Sequence, residues 1–270
     1  MKLATVSTEH GFRVVAAKAN GYVDLGPGDV GSLLASGGLP PAADGEVLEI
    51  DPARFAPVIP NPGKIICVGL NYRTHIIEMG RALPTRPTLF AKYPEALIGP
   101  HETLVLPPES ESVDWEAELA VVIGHRVRRA DGATAENAIA GYTVMNDVTL
   151  RDWQFRTQEW LQGKTWEATT PLGPHLVTPD ELSSDAVISC AIDGEIVQKS
   201  TIADLLFSPV DLVSYISTIL TLNPGDVIAT GTTSGVGHAR TPPRYLRHGQ
   251  TMVTRVEGIG EMVTPVRRAS

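Results

Sequence analysis

The sequence predicts an α+β fold in which β-structure dominates. Residues 113–123 are mostly β-branched and aliphatic and are followed by Gly124, a pattern that predicts a strand. Residues 187–192 and 195–198 flank Asp193-Gly194, a dipeptide that favours a type I′ turn between two strands. A chain of 270 residues is long enough for one large domain, or for a large domain with a small appendage.

Two helices and several further strands complete this prediction. A short helix is expected at residues 29–35, where Gly37-Gly38 ends it. A longer helix is expected from Ser208-Pro209, an N-cap and a first helical residue, to about residue 220. Apolar runs predict strands at residues 64–69, 142–145 and 227–229.

The first residues of the chain predict a small α+β appendage. Strands at residues 3–8 and 12–17 would form a hairpin around His10-Gly11, which makes His10 a turn residue rather than a ligand. The proline-rich residues 56–64 are the best candidate for a boundary. We therefore predict a small N-terminal domain at residues 1–58 and a catalytic domain at residues 59–270.

Composition limits the classes of function. Apolar residues make up 43% of the chain and charged residues 20%, as in an ordinary globular protein. A net charge of −9 argues against a general nucleic-acid or anionic-membrane surface. Cys67 and Cys190 lie in apolar runs and are expected to be buried free thiols. Because no run approaches the ~18 apolar residues of a membrane span and no signal-peptide core is present, a cytoplasmic location is expected.

Three acidic residues suggest a metal site. Glu116 and Glu118 would share one face of a strand, because side chains alternate along it. Two neighbouring carboxylates repel, and a hard divalent cation such as Mg²⁺, Mn²⁺ or Ca²⁺ compensates them. The alternative is a solvated edge strand, which this pair alone would favour. Asp147, at the end of the strand predicted at residues 142–145, would supply a third carboxylate.

Three further polar residues follow the acids. Asp147, Arg151 and Gln154 have helical spacing, and Lys164 follows Gly163 in a predicted loop. Salt bridges would account for each residue taken singly. The whole set instead favours a metal site that holds an anionic, oxygen-rich ligand.

Five ordered motifs give the chain a family resemblance. It resembles the fumarylacetoacetate hydrolase superfamily, and in particular its bacterial acylpyruvase-like members, over residues 60–268. The motifs are GLNYRTHIIEMG, VDWEAELAVVIG, NDVTLRDWQ, GKTWEATTPLGP and GDVIATGTTSGVGHARTPPRYLRHGQ. The resemblance implies a mixed β-sandwich roll of the fumarylacetoacetase C-terminal type, with a small N-terminal α+β appendage, assembled as a homodimer.

The resemblance also implies roles for residues whose function their spacing in the sequence does not settle. His75 and Glu78 would more often be a surface pair, but in the family they form a catalytic dyad on a mobile lid. The family's loop at residues 231–235 binds the substrate carboxylate, which we assign to Thr232. The family commonly has proline where this chain has Thr233. Lys92, in the segment expected behind the lid, is expected to lie near the site.

The implied activity is hydrolysis of a carbon–carbon bond in a 2,4-diketo acid of the acylpyruvate type, giving pyruvate and a carboxylic acid. His75, supported by Glu78, would activate water, and Lys164 would stabilise the pyruvate enolate. Arg151, Gln154 and Thr232 would bind the substrate. Glu116, Glu118 and Asp147 would hold Mg²⁺ or Mn²⁺, with Ca²⁺ also possible. The reaction would belong to aromatic compound catabolism.

Several alternatives remain open. The same site could decarboxylate oxaloacetate, or act as an isomerase or hydratase on a 2-oxo acid. A catalytically silent metal- or ligand-binding protein is a further alternative, from a different class. A serine hydrolase and a nucleotide-binding protein are disfavoured, because the chain has neither Gly-x-Ser-x-Gly nor a phosphate-loop Gly-Lys-Ser/Thr ending. Substrate specificity is expected in residues 73–87 and around Trp153, Phe155 and Trp166.

Overall fold

Two packed β-sheets form the body of the protein, as a computed structural model shows. The model describes residues 1–40, 44–78, 80 and 82–269, with the side chain of Glu78 outside the description. In that part of the chain an eleven-stranded sheet has the order β4-β3-β2-β1-β13-β11-β10-β16-β5-β6, with β7 beside β13. A five-stranded sheet has the order β15-β14-β17-β18-β8, and β9 pairs with β12. The predicted β-rich α+β class and its sandwich-like roll are confirmed.

The strands are short and mostly antiparallel, with parallel pairs at β16–β5, β13–β7 and β18–β8. Their bounds are β1 Lys2–Thr8, β2 Gly11–Lys18, β3 Gly21–Pro27, β4 Val47–Leu48, β5 Ile65–Gly69, β6 Thr88–Lys92, β7 Leu97–Ile98, β8 Leu104–Leu106, β9 Val113–Asp114, β10 Ala117–Ile123, β11 Ile139–Asn146, β12 Thr149–Leu150, β13 Thr170–Val177, β14 Val187–Ile192, β15 Glu195–Thr201, β16 Val227–Thr232, β17 Thr251–Val256 and β18 Gly260–Arg268.

The helices are few within the described residues. They are α1 Val30–Gly37, α2 Arg73–Glu78, α3 Gly132–Asn137, α4 Arg151–Gln154, α5 Leu161–Lys164 and α6 Pro209–Ile219. The Ser208 hydroxyl accepts a hydrogen bond from the Asp211 backbone N–H, and Pro209 is the first helical residue, so the predicted start of α6 is confirmed. The predicted short helix is also confirmed as α1, with Asp29 as its N-cap.

The hairpins follow their local turn signals. Thr8 pairs with Gly11 at the end of β1–β2, where the sequence predicts a turn at His10. Ile192 pairs with Glu195 in β14–β15, and the intervening Asp193 and Gly194 have φ of 51° and 83°. Positive φ at both central residues is the requirement of a type I′ turn. Both predicted hairpins are confirmed.

Strand β10 lies in the interior of the large sheet, between β11 and β16. All seven of its residues are buried, which rules out the alternative of a solvated edge strand. The predicted strand at residues 113–123 is interrupted, because β9 ends at Asp114 and pairs with β12 while β10 begins at Ala117. The two residues between them, Trp115 and Glu116, let the chain leave one sheet and enter another.

Alternation along β10 separates the core from the acids. Ala117 and Leu119 join the apolar cluster between the two sheets, while Ala120 and Val122 join the cluster on the other face. Glu118 has the parity of Ala120, so it projects from that second face. The predicted orientation of Glu118, opposite to Ala117 and Leu119, therefore holds, whereas Glu116 precedes the strand.

The N-terminal strands continue the large sheet. Lys2 and Leu3 of β1 pair with Val177 and Leu176 of β13. The division at residue 58 stays a prediction, since residues 1–58 share a sheet with the remainder of the chain. Cys67 and Cys190 are both buried free thiols, as predicted.

Candidate active site

The ladder between β10 and β11 brings the acidic residues together. Its register pairs Ala117 with Asn146, so Glu116 and Asp147 lie just beyond the last pair. The Asp147 backbone N–H donates to the Glu116 carbonyl at 2.8 Å, and the Glu116 N–H donates to Asn146 Oδ1 at 2.9 Å. Glu118 pairs with Met145, the next pair along the ladder. Strand pairing therefore creates a carboxylate cluster from two segments about thirty residues apart in sequence.

The triad of Glu116, Glu118 and Asp147 is buried and compact. One carboxylate oxygen from each residue lies within 4.8 Å of the others. Burial, together with the charges of Asp147 and Glu116, raises the pKa of Glu118 well above its ordinary value. A Glu118 Oε2 hydrogen bond from the Gly231 backbone N–H, at 2.8 Å, holds the carboxylate in place. Burial and the neighbouring carboxylates therefore oppose ionisation of Glu118 in particular.

Two buried lysines face the triad. Lys164 Nζ lies 2.8 Å from Glu116 Oε2 and 2.7 Å from Asp147 Oδ2. Lys92 Nζ lies 3.0 Å from Asp147 Oδ1 and donates to the Thr170 hydroxyl at 2.7 Å. Burial opposes ionisation of Asp147, but the charges of Lys164 and Lys92 hold its pKa below its ordinary value. Lys164 is the last residue of helix α5, where the sequence predicts a loop.

Arg151 connects the triad to a fourth buried acid. Its Nη2 lies 2.7 Å from Glu116 Oε1, and its Nε donates to Asp114 Oδ2 at 2.8 Å. Its Nη1 donates to Gln154 Oε1 at 2.9 Å, an (i, i+3) contact within helix α4. The helix begins at Arg151, so the predicted helical relation that includes Asp147 is wrong. Strand β12 separates Asp147 from the helix, yet these side chains converge.

The charges around the triad show whether a metal ion fits. Four buried carboxylates, those of Asp114, Glu116, Glu118 and Asp147, face three buried cations, Lys92, Arg151 and Lys164. One negative charge is left uncompensated if all seven groups are ionised, and burial together with the charges of Asp147 and Glu116 raises the pKa of Glu118. A divalent cation held by oxygen ligands would turn the excess into one net positive charge. The residues fit such an ion, and an anionic ligand beside it.

The remaining predicted site residues also lie at this place. His75 is buried on helix α2 and lines the same cavity. Helix α2 includes Glu78, but the side chain of Glu78 lies outside the described residues. Thr232 lines the cavity too, but its hydroxyl accepts from Gln198 Nε2 at 2.9 Å and donates to the Ala117 carbonyl at 3.0 Å. Its hydroxyl is thus engaged with the protein.

A small cavity opens above these groups. Its volume is about 140 Å³, below the range of roughly 300–1,000 Å³ that is common for drug-sized ligands. The polar floor and the largely apolar wall consist of Val68, Gly69, Leu70, His75, Phe90, Glu116, Arg151, Gln154, Phe155, Trp160, Lys164, Thr232, Val236, His238 and Ala239. The size favours a compact ligand of a few carbon atoms.

Comparison with protein-family models shows which family the chain belongs to. The family model described as fumarylacetoacetate (FAA) hydrolase C-terminal matches residues 64–267. The chain belongs to the fumarylacetoacetate hydrolase family. No helix within the described ranges of this family member has the length and apolar character needed to cross a membrane.

Relatives and solved structures of the family extend this result. The chain is 41% identical over 215 residues to oxaloacetate tautomerase Fahd2a, mitochondrial, of Rattus norvegicus, covering 78% of this chain and 69% of the relative. It is 43% identical over 219 residues to fumarylacetoacetate hydrolase domain-containing protein 2 homolog of Dictyostelium discoideum, covering 76% and 72%. Fumarylacetoacetate hydrolase from Exiguobacterium antarcticum matches with a TM-score of 0.89 and 30% identity, and a 5-carboxymethyl-2-hydroxymuconate delta-isomerase from Mycobacterium smegmatis with 0.83 and 32%, each over 100% of both chains.

Sequence reasoning missed several residues of this family member's site. One of them is Asp114, which accepts four hydrogen bonds. Its spacing of two from Glu116 could have indicated that its carboxylate points to the same side. Phe90, Trp160 and His238 line the cavity but come from separate segments, which no local pattern connects. Of the aromatic residues expected there, Phe155 lines the cavity. Among the described lining residues Trp153 and Trp166 are absent; they pack against each other with centroids 4.9 Å apart.

Gly163 lets helices α4 and α5 approach closely. A Cβ atom on Gly163 would lie 2.5 Å from the Gln154 backbone nitrogen. We expect Gly163→Ala to push α5 away and move Lys164 relative to its partners, because real Cβ atoms do not approach so closely. Misplacement by about 1 Å costs roughly a hundredfold in kcat/KM. Steady-state kinetics would measure this loss.

The control is Gly132→Ala on helix α3, where a Cβ atom would meet no atom within 4 Å. That variant should keep wild-type kinetics. If both alanine variants have the same kcat/KM, the close approach of α4 and α5 does not position the site.

Proposed function

We propose that the protein is a divalent-metal-dependent enzyme that interconverts the enol and keto forms of a short 2-oxo acid, with oxaloacetate as the candidate substrate. The observation that carries the proposal is the Lys164 ammonium group, held between Glu116 and Asp147 beside Arg151 on the floor of a small cavity. The names of relatives about 40% identical, oxaloacetate tautomerases, support the choice of substrate.

Arg151 and Gln154 are suited to bind the substrate carboxylate. A guanidinium group has five N–H donors on three nitrogens. In Arg151 each nitrogen already has one partner: Asp114 for Nε, Glu116 for Nη2 and Gln154 for Nη1. The terminal nitrogens each retain one further N–H for a ligand. Gln154 accepts from Arg151 through Oε1, so its amide N–H groups are the ones left for a substrate oxygen. Both residues therefore present donors to an anion.

Glu116, Glu118 and Asp147 would hold the metal ion. Their carboxylate oxygens suit Mg²⁺ or Mn²⁺, with Ca²⁺ as a further candidate. When bound, the ion would supply Lewis-acid polarisation of the 2-oxo group and stabilise negative charge on its oxygen.

Lys164 and His75 divide the remaining chemistry. Ketonisation removes the proton from the enol oxygen and adds a proton at carbon three, and an enolate lies between the two forms. Burial opposes protonation of Lys164, but Asp147 and Glu116 raise its pKa well above the ordinary value, so Lys164 stays a cation. It donates hydrogen bonds to the enolate oxygen rather than acting as a base. His75, on the cavity wall, would deliver the proton to carbon three, and the proton from the enol oxygen would leave to solvent.

Hydrolytic cleavage of an acylpyruvate is the second candidate. The position of His75 on the cavity wall favours it, because an imidazole there could instead deprotonate a water that attacks the distal carbonyl. The departing fragment would be a pyruvate enolate, stabilised by the same Lys164 contact. Decarboxylation of oxaloacetate would form that enolate as well. Homodimeric assembly, a role in aromatic compound catabolism and a cytoplasmic location stay predictions.

One experiment separates these reactions. Enol oxaloacetate is supplied to the purified protein with Mg²⁺ or Mn²⁺, and the loss of enol absorbance is followed while pyruvate is measured in the same sample. An acylpyruvate is tested in parallel, with chelator and His75→Ala as controls. We expect enol loss without pyruvate, abolished by chelator and lowered at least about a hundredfold in the variant.

The other results would redirect the proposal. Pyruvate released from the acylpyruvate at a higher kcat/KM would favour the hydrolase. Pyruvate from oxaloacetate that survives His75→Ala would indicate a decarboxylase. Metal-independent turnover, or none with any substrate, would overturn the site described above.

A further inference from the structure

His238 lines the cavity next to Phe155. It belongs to the short helical turn Gly237–Ala239 that follows β16. Its ring lies 5.4 Å from the Phe155 ring, with an interplanar angle of 36°. The described residues that line the cavity away from the charged floor are mostly aromatic and aliphatic, and His75, Thr232 and His238 are the polar ones among them.

The position of His238 is fixed from two sides. Its backbone N–H donates to Asp114 Oδ2 at 2.9 Å, the same oxygen that accepts from Arg151 Nε at 2.8 Å. Its Nδ1 lies 3.0 Å from the Tyr245 hydroxyl. One buried carboxylate therefore holds both the Arg151 guanidinium group and the backbone of His238, which sets where the imidazole begins relative to the anion-binding floor. The Tyr245 contact leaves Nε2 as the ring nitrogen that can meet a ligand.

The charge of the His238 ring and its contact with Tyr245 set what the imidazole can offer a ligand. Partial burial and the positive charge of Arg151 lower the pKa of the exposed His238 side chain, so the ring is neutral near pH 7. When the Tyr245 hydroxyl donates to Nδ1, the single ring proton resides on Nε2. The imidazole then offers one N–H donor at the cavity, without placing a full positive charge there.

We propose that His238, oriented by Tyr245, is a specificity-determining residue that binds the distal carboxylate of a short 2-oxo dicarboxylic acid. This inference rests on the proposed function, in which Arg151 and Gln154 bind the carboxylate next to the 2-oxo group. When Arg151 and Gln154 bind that carboxylate of a four-carbon dicarboxylate on the cavity floor, the second carboxylate lies against the cavity wall. There Nε2–H of His238 donates to it, and the apolar neighbours would otherwise disfavour the charge.

Two stable ligands test this assignment without turnover. Malate and 2-hydroxybutyrate share the carboxylate and the oxygen on carbon two, and they differ at carbon four, which is a carboxylate in one and a methyl group in the other. Dissociation constants for both are measured by titration calorimetry with Mg²⁺ present, for the wild type and for His238→Phe, Tyr245→Phe and His10→Phe. The phenylalanine at position 238 keeps a ring against Phe155, and His10 lies in the β1–β2 turn.

We expect the wild type to bind malate more tightly than 2-hydroxybutyrate. His238→Phe should weaken malate binding by about tenfold and leave 2-hydroxybutyrate within about twofold. Tyr245→Phe should weaken malate binding by about threefold, because the tautomer is no longer fixed, and His10→Phe should change neither constant. Equal weakening of both ligands in His238→Phe, an unchanged malate constant, or no preference in the wild type would each overturn the assignment.

Turnover separates this assignment from the proposed function. If the protein does not act on oxaloacetate but prefers malate, and that preference disappears in His238→Phe, the proposed activity fails and the distal carboxylate site stands. If oxaloacetate is turned over and His238→Phe leaves the preference intact, the activity stands and the role of His238 fails.

Discussion

Replacing Glu118 with glutamine is expected to lower turnover roughly a thousandfold and to abolish stabilisation by divalent metal ions. Glu118 is one of three buried carboxylates whose oxygens lie within 4.8 Å of one another. Loss of a bound metal ion removes several kcal/mol of transition-state stabilisation, which corresponds to this change in rate. At a metal concentration of about 100 times Kd, the ion stabilises the wild type by about 2.7 kcal/mol, or roughly 5–10 °C in Tm.

The same variant should be more stable than the wild type without metal. Burial and the neighbouring acids raise the pKa of Glu118, so its stabilising contribution is complete below its ordinary pKa of 4.5 and disappears as pH rises through the folded-state value. Ionised Glu118 therefore destabilises the metal-free wild type, whereas neutral glutamine retains an oxygen for the Gly231 N–H. Thermal unfolding from about pH 4.5 to about pH 8, with chelator, should show a flatter profile for the variant.

Glu136→Gln on helix α3 is the control, because this exposed side chain lies away from the triad. It should keep both the metal-dependent shift in Tm and full activity. A Glu118→Gln protein that still gains stability from Mg²⁺ or Mn²⁺ would contradict a metal site at the triad.

Replacing Lys164 with methionine is expected to lower kcat by about a hundred- to a thousandfold, the effect of removing one donor to a developing oxyanion. It also leaves Glu116 and Asp147 without the ammonium group that lies within 2.8 Å and 2.7 Å of them. Removing one partner of a buried ion pair destabilises a protein by about 3–5 kcal/mol. Chemical denaturation without metal would measure this loss.

A divalent ion should restore part of that stability, since it supplies positive charge to the same two carboxylates. It should not restore kcat, because the donor to the substrate oxygen is still absent. Arg268→Met is the matched control: its pair with Glu111 is largely exposed, at 60% and 76%, and its loss should change stability by no more than about 1 kcal/mol. Restored kcat in Lys164→Met with metal would remove Lys164 from the chemistry.

Local features of the fold were predictable because short-range physics decides them. The Asp193-Gly194 turn requires positive φ at both positions, and the start of α6 requires an N-cap at Ser208 with proline after it. Neither depends on distant parts of the chain. The β-rich class follows from many such segments together, whereas the two-sheet architecture came from family resemblance.

The site likewise contains residues that sequence spacing could predict and residues whose roles rest on the family resemblance. Sequence spacing alone placed Glu116 and Glu118 on one strand face, and it identified Asp147, Arg151, Gln154 and Lys164 as candidates. It assigned Asp147 to a helix with Arg151, where a short strand lies between them. The roles of His75, Glu78 and Thr232 came from resemblance and stay predictions, with Thr232 already hydrogen-bonded to its neighbours.

Alternation is a property of any extended chain, so sequence spacing was enough to predict that Glu116 and Glu118 point the same way. The partners of these carboxylates depend on tertiary packing. The β10–β11 register sets Asp147 beside Glu116, and Asp114 joins Arg151 to His238 across more than a hundred residues of chain. Such contacts arise from the packing of distant segments, and their energies depend on burial and charge partners that no local pattern contains.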